Sequence, residues 1–192
     1  MRILSFRTVW GEVQERENIK VIAVDEIMPT SENISDKSYP LSRSLYLISE
    51  KKLSVAEKDF VSYIKSVQAQ KIIGDSTYVS NSSGEGYKKR NVSGKIQIDG
   101  STSMAPLLRT LAVEYEKLQP DVEVQVRASD SEHGIEAVED QESDFGMVSR
   151  ELTNLEQKKF QVNALAKDGI AIIVNKDNPI EEISLSELKK IY

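Results

Sequence analysis

From residue 95 onward the chain alternates short apolar runs with longer amphipathic ones, and this alternation constrains its fold more than any other feature. "KIQID" (95–99) reads as a strand, and the following run carries Met104, Leu107, Leu108, Leu111, Ala112, Tyr115 and Leu118 at helical spacing until Pro120. "VEVQVRA" (122–128) alternates as a strand and "GIEAVEDQ" (134–141) reads as a short helix. "DFGMVS" (144–149) is a strand, "TNLEQKKF" (153–160) a helix opened by a Thr153/Glu156 capping box, and "GIAIIVN" (169–175) a buried strand. "SLSELKKIY" (184–192) closes the series as a helix capped by Ser184. Strands that alternate with helices cannot pair as hairpins, so the pattern predicts an α/β fold around a largely parallel central sheet with flanking helices.

The first 80 residues are organised differently. "RILSFRTV" (2–9) and "NIKVIAVD" (18–25) read as strands joined around Gly11, and residues 28–40 are turn-rich with a short helix after Ser31. "SLYLIS" (44–49) is another strand. Residues 54–73 read as one helix, started by a Ser54/Glu57 capping box, buried through Phe60, Val61, Ile64 and Val67, and ended by Gly74. Residues 81–94, "NSSGEGYKKRNVSG", have no apolar periodicity and read as a linker. Their two N-x-S triplets, at Asn81 and Asn91, are of a kind that arises often by chance.

Composition excludes several classes. The 192 residues carry 25 Lys and Arg against 31 Asp and Glu, a net charge of -6, which argues against a protein that tracks nucleic-acid phosphates. There is no cysteine, hence no disulfide and no thiolate metal site, and no apolar run approaches the length of a membrane span. The N-terminal residues lack the apolar core of a secretory signal, so any export signal is expected outside these residues. The chain has no G-K-[ST] nucleotide loop and no G-x-S-x-G elbow. A hydrolytic triad would need His133, the single histidine, in an acidic stretch without an activating partner. No catalysis, metal or organic cofactor is expected.

Three turns nonetheless share a chemical property. Ser101-Thr102-Ser103, Ser131 and Ser149 each place a hydroxyl after a strand and before a helix, where parallel strands open into one crevice. Either each hydroxyl caps its own helix, or the three turns converge with their helix ends into an anion site. The spacing leaves both readings open.

The motifs carry a family resemblance. "GSTSMAPL" (100–107), "DFGMVSREL" (144–152) and "DGIAIIVN" (168–175) together resemble the first portion of the phosphate-binding proteins of bacterial phosphate ABC transporters. Residues 19–73 resemble the last portion of the same family. The resemblance implies one lobe of a type II periplasmic-binding-protein fold over residues 1–192, with a mostly parallel central sheet and one antiparallel crossover strand. It implies a circularly permuted order: 1–80 as the family's C-terminal portion, 81–94 as the linker, and 95–192 as its N-terminal portion. Carried over by motif, the phosphate contacts fall on Ser101, Thr102, Ser103, Ser131 and Ser149, with Arg150 as a further candidate beside its plain role as a surface ion pair. The second turn departs from the family pattern, since Asp130 and Glu132 flank Ser131 where relatives carry small residues, and two carboxylates repel an anion. Glu132 could instead accept a hydrogen bond from protonated phosphate, in place of an aspartate that some members carry at the position of Ser149. His133 reads as a solvated residue. The expected partners are inorganic phosphate, the membrane permease of an ABC transporter, and a second lobe from the same or another chain, with no nucleic acid. The expected location is extracytoplasmic. With one wall of the cleft, phosphate binding is expected near millimolar or below detection, because each lost charge-assisted hydrogen bond removes about 1.5–3 kcal/mol. The alternative is a non-catalytic interaction or sensing module with a degenerate ligand site.

Overall fold

The computed structural model describes residues 18–81 and 84–191, so the strand expected at 2–9 lies outside the described residues. In chain order the elements are β1 (Ile19–Val24), α1 (Ser31–Ser35), β2 (Ser42–Ser49), α2 (Val55–Ile64), α3 (Val67–Gly74), β3 (Val79–Ser80) and β4 (Gly94–Gly100). They continue as α4 (Ala105–Leu118), β5 (Val122–Val126), α5 (Ser131–Glu139), β6 (Phe145–Val148), α6 (Asn154–Lys159), β7 (Gln161–Gly169), β8 (Ile172–Asn175), β9 (Glu182–Ile183) and α7 (Leu185–Ile191). Among the described residues no helix is long and apolar enough to cross a membrane. The described residues divide into two compact units, residues 18–43, 74–79 and 167–191 forming one, and residues 44–73, 80–81 and 84–166 the other.

In the first unit β1 is the middle strand of three, antiparallel to β8 and parallel to β9. Ile22, Val24, Ile172 and Val174 of these strands form a core with Ile34, Tyr39, Ile183 and Leu188. Helix α1 starts where the turn-rich stretch placed it, its N-cap being Thr30, whose hydroxyl accepts from the Asn33 amide. Asp168, almost fully buried, is compensated by Arg43, whose Nε and Nη2 donate to Oδ2 at 3.0 and 2.5 Å.

The second unit holds most of a six-stranded sheet in the order β3-β7-β2-β6-β4-β5. Strand β4 is parallel to β5 and to β6, and β2 is antiparallel to β6, so the sheet is mixed. Three glycines set how closely a helix approaches this sheet. A Cβ at Gly100 (φ +127°) would lie 2.5 Å from the Met147 carbonyl oxygen, and one at Gly134 would lie 2.9 Å from the Gly100 Cα. A Cβ at Gly146 would lie 2.4 Å from the Gly134 oxygen. Backbone therefore packs on backbone where α5 crosses β4 and β6, a separation that side chains would enlarge.

Several expectations are corrected. The helix expected over 54–73 is two helices, because the Ser66 hydroxyl donates to the Tyr63 carbonyl (2.6 Å) and accepts from the Ala69 amide (3.3 Å), so it ends α2 and caps α3. The break turns Val67 outward, and Leu118, the last residue of α4, is also partly exposed rather than buried. Strand β7 was not expected, since Gln161, Asn163, Lys167 and Asp168 interrupt its apolar pattern. Tertiary partners serve two of these: Arg43 pairs with Asp168, and Asn163 Nδ2 reaches the Leu47 carbonyl. Both capping boxes, Ser54/Glu57 and Thr153/Glu156, are formed as read, and Ser184 accepts from the Glu187 amide. Around the stretch read as a linker, Tyr87 is anchored: its hydroxyl donates to buried Asp59 at 2.5 Å and its amide donates to Gln68 Oε1. Tyr115 and Gln119 also donate to the same Asp59 oxygen.

Candidate functional site

The site is built at one end of the parallel strands by three connections. The first leaves β4 through Gly100, whose left-handed backbone turns the chain so that the Ser101 amide donates to the Met147 carbonyl at 3.0 Å. The Ser101 carbonyl then receives the amides of Met104 and Ala105, closing the turn before α4. The N-cap of α4 is Met104, with no side-chain hydrogen bond, and Pro106 fills the first turn, where a missing N–H is harmless. None of Ser101, Thr102 and Ser103 is the N-cap residue of this helix.

The second connection enters α5. Here Asp130 is the N-cap, its Oδ1 accepting from the His133 amide at 2.9 Å, and Ser131 is the first helical residue. The third follows β6. Ser149 does not stand at a helix start as expected; α6 begins at Asn154 under the Thr153 cap, because the Thr153/Glu156 box outcompetes any earlier nucleus. The N-cap positions of these three helices are thus held by Met104, Asp130 and Thr153 and by none of the five residues.

What they do instead is meet. Ser101 Oγ donates to Ser149 Oγ at 2.8 Å and lies 2.9 Å from Ser103 Oγ. Since Ser101 has one proton and gives it to Ser149, Ser103 is the donor in that second contact. The Ser149 amide donates to Ser131 Oγ at 3.1 Å, and the two hydroxyl oxygens are 3.4 Å apart. Ser101 and Ser131 are buried, whereas Thr102 is exposed beside them and its hydroxyl makes no hydrogen bond among the described residues. The three connections thus form one continuous row of hydroxyls, Ser103–Ser101–Ser149–Ser131, with Thr102 at its rim. The close approach at Gly100, Gly134 and Gly146 makes these distances possible.

Charged groups surround the row. Arg150 is an ion-pairing residue: Nη1 and Nη2 donate to the two Glu156 oxygens at 3.0 and 2.9 Å, and Nε donates to Glu132 Oε1 at 2.9 Å. Nη1 also reaches the Glu151 carbonyl at 3.1 Å. The Arg150 guanidinium, with help from the Thr153 amide and against partial desolvation, holds the Glu156 carboxyl down at about 2; these carboxylates push Arg150 up. The carboxylates expected to repel an anion are accordingly engaged, Asp130 as a cap and Glu132 on Arg150. His133 is exposed on α5, its Nε2 3.9 Å from Asp99 Oδ2. Buried Asp99 accepts from Ser129 Oγ at 2.7 Å, and Ser129 donates its amide to the Gly100 carbonyl. This Asp99–Ser129 strut, which joins the first two connections, was not anticipated; an acidic residue directly before the glycine of a turn was the available signal. Among the described residues no group of three or more His, Cys, Asp or Glu could hold a metal.

The carboxyl ends of the strands are where open α/β sheets take their ligands. The chain belongs to the PBP superfamily, whose domain model matches residues 81–192. Within that superfamily it is a member of the phosphate-binding proteins of phosphate ABC transporters. It is 34% identical over 177 residues to phosphate-binding protein PstS 2 of Streptococcus pneumoniae TIGR4, covering 92% of this chain and 61% of that protein. It is equally similar, 34% over 177 residues, to the protein of that name from Streptococcus agalactiae serotype V, covering 91% and 60%. The crystal structure of a phosphate ABC transporter phosphate-binding protein from S. pneumoniae TIGR4 superposes with a TM-score of 0.86 at 34% identity, covering 93% of this chain and 70% of that one. The chain spans about three fifths of the length of these curated relatives.

Proposed function

We propose that the chain binds inorganic phosphate, without catalysis, as part of the extracytoplasmic solute-binding component of a phosphate ABC transporter. The observation that carries this reading is the convergence of Ser101, Ser103, Ser131 and Ser149, from three connections up to 48 residues apart in sequence, within hydrogen-bonding contact of one another. Hydroxyls can turn their protons toward a tetrahedral oxyanion, and the helix start at Ser131 adds a favourable dipole. Thr102, exposed at the rim and unengaged, supplies a further donor. Arg150 sits next in sequence to Ser149 with its guanidinium fixed by Glu156.

In this reading residues 1–192 form one lobe in circularly permuted order, with residues 81–94 joining the family's C-terminal portion to its N-terminal portion. A second lobe faces the hydroxyl row, and the assembled protein delivers phosphate to a membrane permease. Titration calorimetry with phosphate and sulfate tests the ligand. Heat with phosphate in the millimolar range, lost in Thr102→Ala while the melting temperature is unchanged, is the expected result. A folded chain that gives no heat with phosphate at millimolar concentration overturns the reading.

A further inference from the structure

The engagement of Arg150 is uneven, and the unevenness has a functional consequence. Glu156 grips the guanidinium through two parallel hydrogen bonds, and its side chain is only 17% exposed. Glu132 holds Nε through one bond, and its side chain is 66% exposed. Glu156 is moreover fixed from the other side, since it accepts from the Thr153 amide at 2.7 Å in the capping box of α6. A bidentate, partly buried carboxylate orients an arginine, whereas a single exposed contact is readily exchanged.

The two residues joined by that exchangeable contact are the chain neighbours of two members of the hydroxyl row. Glu132 follows Ser131 and Arg150 follows Ser149, so the same two chain segments are joined twice, by the Ser149 amide on Ser131 Oγ and by Arg150 Nε on Glu132. We propose that Glu132 is a built-in competitor for Arg150: it occupies the guanidinium edge that an anion at the hydroxyl row would otherwise take, so anion binding proceeds by displacing a carboxylate. Glu156 keeps Arg150 in place through the exchange and acts as a positioning residue. The device weakens affinity, because each bound anion gives up an existing ion pair. It also favours doubly charged ligands, which outbid a carboxylate at a guanidinium more strongly than singly charged ones do.

This inference rests on the phosphate reading, and a four-protein cycle separates the two. The wild type, Glu132→Gln, Arg150→Gln and the double variant are titrated calorimetrically with inorganic phosphate at low salt, with circular dichroism to establish that each is folded. An exposed ion pair is worth up to about fivefold in an equilibrium constant, so Glu132→Gln is expected to bind phosphate about threefold to fivefold more tightly than the wild type. The same substitution in the Arg150→Gln background is expected to change the affinity less than about twofold, because no guanidinium remains to be released. Heat from Glu132→Gln where the wild type gives none also supports the proposal. Equal tightening in both backgrounds overturns it, since Glu132 then acts by simple charge repulsion. A wild type that binds phosphate with an affinity untouched by Glu132→Gln overturns it and leaves the phosphate reading standing. No heat from any of the four folded proteins overturns both.

Discussion

Gly134→Ala tests whether backbone-on-backbone packing builds the hydroxyl row. The added Cβ would lie 2.9 Å from the Gly100 Cα, 3.0 Å from the Asp99 oxygen and 3.2 Å from the Met147 oxygen. Comfortable carbon–carbon contact begins near 3.5 Å, so α5 must retreat by about 0.6 Å, and all three obstacles are backbone of the sheet. Two effects oppose each other. Alanine is favoured over glycine inside a helix by about 1 kcal/mol, while overpacking against an unyielding neighbour costs about 1–3 kcal/mol. Because β4 and β6 are held by their ladders the clash falls at the upper end of that range and wins, leaving a net loss of about 1–2 kcal/mol. At this chain length that lowers the melting temperature by about 2–8 °C. The retreat also lengthens the 3.1 Å contact from the Ser149 amide to Ser131 Oγ. An increase of about 0.6 Å takes it to about 3.7 Å, beyond hydrogen bonding, so phosphate affinity should fall as well. Thermal melts by circular dichroism and calorimetric titration read the two effects separately. A variant that melts at or above the wild-type temperature would refute the packing argument, since helix propensity would then have decided the outcome.

Arg43→Met should be the more damaging change in the first unit: it leaves buried Asp168, whose Oδ1 has no hydrogen-bond partner among the described residues, with an uncompensated charge, and a loss of about 3–5 kcal/mol is expected in urea unfolding. Glu156→Gln should cost about 0.5–1.5 kcal/mol at pH 7 through the weakened Arg150 pair. The folded-state carboxyl titrates near 2 rather than at its ordinary value of 4.5, so its contribution is complete above about pH 4.5 and is lost as the pH falls through about 2. Unfolding curves of wild type and Glu156→Gln should therefore converge between pH 4.5 and pH 2, and a constant gap across that window would contradict the assignment.

The α/β class, most helices and both internal capping boxes follow from sequence alone, because strand and helix periodicities and the S/T-x-x-E pattern are local. So did the motifs around Ser101, Ser131 and Ser149, through their family resemblance. What the sequence left open was whether these hydroxyls cap helices or meet one another, and there local preference pointed the wrong way. Serine is a favoured cap, yet Met104, Asp130 and Thr153 hold the cap positions and the serines are drawn to a common point. That point exists only because Gly100, Gly134 and Gly146, which lie far apart in sequence, let a helix rest directly on two strands. Strand β7 and the break at Ser66 were hidden for a related reason: polar residues that spoil a local pattern become acceptable once Arg43, Leu47 or Tyr63 supplies a partner. Likewise the sequence leaves Arg150 open between an anion donor and a surface ion pair, and only the folded chain brings Glu132 and Glu156 to it. Periodicity determines which residues form elements; the pairing of polar groups across elements is decided by tertiary contact, because a hydrogen bond has no sequence-local signature when its partners are 18 or 48 residues apart.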